Sequence, residues 1–120
     1  MTKEEKQLLL KDLCVRLPYG VKVHIHDLNV DDYDRNLVPE DISLFEIYRI
    51  GIKPYLRSMS SMTEEERQQY WDLCYQDQDD IWGKCRFDRI VDFCLERHLD
   101  YRSLIEKGLA LEAKKWMYKH

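Results

Sequence analysis

Residues 21–26 read Val-Lys-Val-His-Ile-His, a strict alternation of apolar and polar side chains. A period of two puts Val21, Val23 and Ile25 on one face of a strand and Lys22, His24 and His26 on the other. A strand with one apolar face needs neighbouring strands and a covering layer. The stretch before it keeps the helical period, through Leu9, Leu10, Leu13, Cys14 and Leu17. Thr2 and Glu5 have the spacing of a capping box, and Pro18 and Gly20 stop the run. A helix over 3–16 followed by a strand over about 21–28 predicts a chain that mixes the two element types.

Later segments read the same way. Residues 29–41 are polar and predict a long solvated connection. Asp27, Asn29 and Asp31 have calcium-loop spacing, but Asp32 stands where that loop needs Gly and Val38 where it needs Glu. The β-branched and aromatic run 42–57 predicts two short strands, 44–49 and 52–57, with Gly51 as a bulge or turn; a helix over 42–49 is the competing reading. Pro54 has no amide donor and favours a strand edge. Thr63 and Glu66 form a second capping box ahead of a helix over 64–76 that buries Tyr70, Trp71 and Cys74. Residues 77–80 read as a surface linker, and Gly83 ends a short turn containing Ile81 and Trp82.

Phe87, Ile90, Val91, Cys94, Leu95 and His98 then recur at i, i+3, i+4 spacing, the stripe of a third helix. Asp100 caps a short helix over 101–107 that ends at Gly108 as the left-handed residue. Residues 109–113 suit an edge strand, and the basic tail frays or docks through Trp116. The expectation is one α+β domain over 1–120: a small, mostly antiparallel sheet of three to four strands packed against three to four helices.

The chain has 120 residues, 44% hydrophobic and 35% charged, enough apolar material for one core. A net charge of −4 gives no surplus of cations to displace counterions, so nucleic-acid binding is not expected. No apolar run approaches the ~20 residues that cross a membrane, and the N-terminus has no secretory pattern. This predicts a cytoplasmic setting with reduced thiols. Cys14, Cys74, Cys85 and Cys94 contain no CxxC pair, which argues against structural zinc; the first, second and fourth read as buried, inert thiols.

Four places invite a chemical reading. His24 and His26 lie about 6.5–7 Å apart at Cα on one strand face; a polar sheet face is the simpler account, and no metal or cofactor is expected. A hydrolase built on the pair would need further ligands. Arg57, Ser60 and Ser61 precede a capped helix, where free amides attract anions, and Tyr70 or Trp71 would add ring stacking. Against this, Glu64 to Glu66 already occupy the positive end of the dipole. The paired acids Asp31/Asp32 and Asp79/Asp80 read as solvated turns, not acid–base machinery. Last, eight Tyr and three Trp outnumber three Phe. Tyr75, Trp82, Trp116 and Tyr118 would form a protein-binding patch if exposed together, since Tyr and Trp dominate interface energetics.

Three stretches, LLLKDLCVRLPYGVKV, IKPYLRSMSSMTEEE and LDYRSLIEKGLALEA, together resemble a group of small uncharacterised proteins of Bacteroides phages and prophages. The likeness covers somewhat over a third of the chain, in the same order. This chain departs from the shared phrases at Ser58 (usually Pro), at Ser103 (usually Gly), at Lys114-Lys115-Trp116, and over residues 27–50. The group carries no established activity to transfer. The resemblance together with the lack of a catalytic constellation leads to the expectation of a non-enzymatic accessory protein that binds a host or phage protein in the cytoplasm of a bacterial host cell, with inhibition and anti-defence as one form of that work. The alternative is a small-molecule binder that sequesters a nucleotide signal through Arg57, Ser60, Ser61, Tyr70 and Trp71. Homo-oligomer formation stays open.

Overall fold

A computed structural model describes residues 2–48, 50–74 and 86–118. Helix α1 spans Lys3–Arg16 and opens on the expected reciprocal cap: Glu5 N–H donates to Thr2 Oγ1 at 3.1 Å, and Thr2 N–H donates to Glu5 Oε1 at 2.9 Å. A cap of this kind contributes about 1 kcal/mol. After a 3-10 turn at Leu17–Tyr19, Gly20 adopts φ 73°, a left-handed conformation that costs Gly no steric strain. Strand β1 is Lys22–Asp27, close to the expected bounds.

Two readings between 29 and 49 are corrected. Residues 29–41 are not a loop throughout: Val30–Asn36 form strand β2, antiparallel to β1. Asp27 and Val30 close a tight turn in which Asp27 Oδ1 accepts from Asn29 N–H at 3.0 Å. The sequence Val-Asp-Asp-Tyr-Asp-Arg-Asn has poor strand propensity, but all seven residues are exposed, so no apolar alternation is demanded of it. Residues 44–49 are not a strand either. The competing helix forms as α2, Pro39–Tyr48, with Pro39 in the first turn and Glu40 and Asp41 at its positive end. Asp41, fully buried, accepts from Val38 N–H at 3.1 Å and pairs with Arg35.

Strand β3 is Gly51–Leu56, and a two-residue strand β4, Leu111–Glu112, runs parallel to it. The order is β2-β1-β3-β4, with β1 antiparallel to both neighbours. Pro54 lies opposite Val23, and β4 begins pairing only at Tyr55, so the missing amide meets no strand that needs it.

Helix α3, Glu64–Cys74, starts at the second predicted capping box: Glu66 N–H donates to Thr63 Oγ1 at 3.1 Å and Thr63 N–H to Glu66 Oε1 at 2.9 Å. Of the three side chains expected to be buried there, Tyr70 and Cys74 are half-buried and Trp71 is exposed. Helix α4 is Arg86–Glu96. It ends with His98 at φ 58°, His98 N–H on the Leu95 carbonyl and Leu99 N–H on that of Cys94. This is a Schellman end, so His98 leaves the helix instead of extending its stripe. Phe87, expected on the buried stripe, is exposed.

The short helix expected over 101–107 does not form. Ser103 takes φ 58°, which breaks the turn sequence. Asp100 still caps, accepting from Leu104 and Ile105 N–H at 2.8 and 2.9 Å, and Gly108 is left-handed as expected. The linker at 77–80, the turn at 81–83 and Cys85 lie outside the described residues.

The main core joins Leu9 and Leu13 of α1 to Val21, Val23, Ile25, Ile52 and Leu56 of the sheet, with Phe45, Leu104 and Leu109. Each such burial stabilises by ~1.5–3 kcal/mol. A second cluster, Phe93, Cys94 and Leu99, packs with Met59, Met62 and Tyr70. Arg16, buried, bonds Asp12 at 2.7 Å and the Leu99 carbonyl at 2.8 Å, tying α1 to the segment after α4. Cys14 is exposed, not buried, because it faces away from the Leu9–Leu13 stripe. The tail docks through Met117 and Tyr118, both buried, and leaves Trp116 exposed. Among the described residues no helix is long and apolar enough to cross a membrane.

Candidate functional site

The β1–β2 hairpin carries the densest polar constellation among the described residues. Its register sets His24 opposite Asp34 and Lys22 opposite Asn36, so the second strand supplies carboxylates to the polar face of the first. His24 Nδ1 lies 2.7 Å from Asp34 Oδ1 and its Nε2 3.2 Å from Asp32 Oδ2. His26 Nδ1 lies 2.6 Å from Asp32 Oδ1. The Tyr55 hydroxyl donates to Asp34 Oδ1 at 3.0 Å. The result is a chain Tyr55–Asp34–His24–Asp32–His26 running across the sheet face.

The charges respond to one another. The bond to Asp34 raises His24 above its ordinary pKa, with Asp32 adding to this against the opposing effect of burial. Bonds from His26 and then His24 lower Asp32. Burial pushes Asp34 upward, but the bonds from His24 and Tyr55 outweigh it and the net direction is down. Both ring nitrogens of His24 face carboxylates, and only the imidazolium can donate to both.

Beside this row lies a groove of about 440 Å³ lined by His24, His26, Asp32, Gly51, Lys53 and Leu111. Gly51 forms part of its wall: a Cβ there would meet His26 Cβ at 3.3 Å. The imidazoles are engaged by aspartates, and no group of three or more His, Cys, Asp or Glu among the described residues is arranged to hold a metal ion.

The hairpin also presents backbone. Leu37 N–H donates to the Val21 carbonyl at 2.9 Å, so Leu37 is bonded toward β1. Direction alternates along a strand. Arg35 and Tyr33 therefore also bond inward, and Asp34 and Asn36 turn their N–H and C=O groups outward; the register against β1 shifts at Asp31–Asp32, opposite His26. β2 is the last strand of the sheet, and nothing among the described residues pairs with that outer edge. At the hairpin tip Leu28 is 92% exposed and Val30 55%, with Tyr33 at 39% along the strand.

The residues expected to bind a ligand are dispersed. Arg57 is buried and donates to Glu66 at 2.7 and 2.9 Å and to the Ser61 carbonyl at 3.3 Å. Ser61 Oγ donates to the Ser58 carbonyl at 2.7 Å, and Ser60 Oγ meets Ser58 Oγ at 3.1 Å. Tyr70 packs on Phe93 at 6.0 Å between ring centres, whereas Trp71 lines a separate shallow groove with Glu64, Arg67 and Gln68. Of the expected protein-binding set, Tyr75 and Trp82 fall outside the described residues. Trp116 is exposed, with Lys114 Nζ 5.5 Å from its ring centre. Tyr118 is no surface residue: its ring stacks on His98 at 3.8 Å and its hydroxyl bonds two strands.

Sequence reasoning singled out His24 and His26 but missed Asp32, Asp34, Lys53 and Tyr55 as their neighbours. One signal was present. Asp32, Asp34 and Asn36 alternate with the same period as Lys22, His24 and His26, so a hairpin would align acids with bases. Compared with protein-family models, curated proteins and solved structures, the chain matches none.

Proposed function

We propose that this protein is a non-enzymatic phage or prophage accessory factor that works by binding a host or phage protein, with the β1–β2 hairpin as its contact surface. The observation that carries this reading is the hairpin's exposure. Seven consecutive β2 residues face solvent, the outer strand edge is open, and Leu28 stands at the tip almost without cover. Exposed apolar side chains beside an unpaired edge are an assembly hazard unless a partner uses them. The resemblance to small phage and prophage proteins supports the same reading.

The nucleotide-sequestering alternative has less support. Its central cation, Arg57, is buried against Glu66, and its aromatic Trp71 shares a groove with the carboxylate of Glu64.

The test combines two measurements. A thermal-shift screen with nucleotides and divalent metals should leave the melting temperature unchanged, because a ligand of the native state would raise it. Immobilised protein should retain a partner from a Bacteroides lysate, and Leu28→Lys/Val30→Lys should lose it. A nucleotide that raises the melting temperature, or the absence of any retained protein, would overturn the reading.

A further inference from the structure

We infer that the partner docks as an extended, basic segment that adds antiparallel to β2 as a fifth strand. This rests on the protein-binding reading above and specifies the partner's chemistry. Asp34 and Asn36 offer outward N–H and C=O groups at alternate positions, the ladder that an added strand requires, and Asp32 stands next along the same edge where the register against β1 shifts.

The charge along the edge selects the occupant. Asp31, Asp32 and Asp34 are exposed on β2, while the strand's one cation, Arg35, is drawn to the buried Asp41. Lys53 lies on β3, two strand spacings or about 10 Å inward. Lys22 Nζ reaches Asn36 Oδ1 at 3.5 Å at one end of the row, and the His24 and His26 imidazoles hold Asp34 and Asp32 from the β1 side, behind the edge. An incoming strand therefore meets carboxylates first. Residues opposite Asp32 and Asp34 would be Lys or Arg. Between them, opposite Tyr33, a β-branched or aromatic side chain would pack.

A second copy of this chain is the wrong occupant. Hydrogen-bonded pairing across a two-fold must match outward residues with outward residues. Centred on Tyr33, it sets Asp32 opposite Asp34. Moved one step either way, it sets Asp34 against Asp34 or Asp32 against Asp32, and centred on Arg35 it pairs Asp34 with Asn36 but sets the two Arg35 cations against each other. Like charges directly opposite destabilise a strand pair. The same carboxylates that bar self-assembly favour a cationic strand.

The probe is the peptide acetyl-Thr-Lys-Val-Lys-Val-Lys-Thr-amide, compared with its Glu-for-Lys counterpart. The Lys peptide should bind about tenfold more tightly, the sum of a few opposite-charge cross-strand pairs. It should slow amide exchange at Asp34 and Asn36 in the full chain, and salt should weaken it. Asn36→Pro removes one outward donor and leaves the inward ladder intact, so it should lower affinity several-fold. N-methylation of the peptide's pairing amides should abolish binding without any change to the protein. Equal affinity for both peptides, shifts confined to another surface, or a concentration-dependent dimer that protects the same amides would overturn the inference. A retained lysate partner insensitive to Asn36→Pro but lost with Leu28→Lys/Val30→Lys would sink this inference alone. Loss of every protein partner would sink the reading beneath it.

Discussion

The Tyr118 hydroxyl donates to the Tyr55 carbonyl at 2.7 Å and accepts from Lys22 N–H at 2.8 Å. In the β1–β3 register Lys22 would be the next partner of Tyr55 after Val23 and Pro54. A side chain from the tail therefore stands where a direct ladder bond would close. Burial pushes the Tyr118 phenol up to about 12, against the opposing effect of the Lys22 amide.

Tyr118→Phe removes the hydroxyl and leaves two backbone groups without it. The expected cost is about 1–3 kcal/mol, with faster amide exchange at Lys22. Urea denaturation and hydrogen exchange check both. An unchanged midpoint would mean that the two strands close on each other directly.

Arg57 and Glu66 form a buried two-pronged pair that fastens the start of α3 to the end of β3. Glu66 also completes the cap at Thr63. Arg57→Met should cost about 3 kcal/mol, the low end for a broken buried pair, since Arg97 Nε lies 3.8 Å from Glu66 Oε2. The Arg57→Met/Glu66→Met double variant should be less damaged than the two single losses added together. Additive losses in the cycle would refute the pairing.

The His–Asp row gives the hairpin a pH window. His24 is raised above 6.5, so its contribution is complete below that value and is lost as pH climbs through the raised one. Asp32 and Asp34 are lowered below 3.8, so theirs is present above that value and is lost as pH falls through the depressed ones. The stability difference between the wild type and His24→Gln should peak between these limits and shrink on both sides. Chemical denaturation across the range measures it, and a difference independent of pH would contradict the row.

Two thiols should behave oppositely. Cys94 is buried, and that burial raises its thiol to about 11, whereas Cys14 is exposed. Since the thiolate is the reactive form, iodoacetamide should label Cys14 in the native protein and Cys94 only after unfolding. Peptide mass spectrometry reads the order, and native labelling of Cys94 would be the contrary result.

Ser103 holds φ 58°, a left-handed value strained for a residue with a Cβ. Ser103→Gly should be neutral to stabilising, by up to about 1 kcal/mol after the greater unfolded freedom of Gly is counted. A thermal melt decides, and a clear loss of stability would show that the serine side chain holds the turn.

How much of this was legible beforehand follows from the range of the interactions. The bounds of α1, both capping boxes, the left-handed Gly108 and the two-faced β1 each depend on residues within a few positions of one another, and the amino-acid order alone determined them. Strand β2 was legible only in the alternation of Asp32, Asp34 and Asn36. Its polar residues have no strand preference of their own and are held by pairing to β1, whose carboxylate-seeking face is visible only once the hairpin closes. The choice of helix over strand at 39–48 turned on Pro39 and the buried Asp41, which Arg35 draws in from the neighbouring strand. The tertiary structure alone decided that Tyr118 is buried and Trp116 exposed, because backbone groups of Lys22 and Tyr55, far away in sequence, supply the partners that a tyrosine hydroxyl can use. Local propensity and capping act over a turn of chain; partners for buried polar groups are found only when distant segments meet.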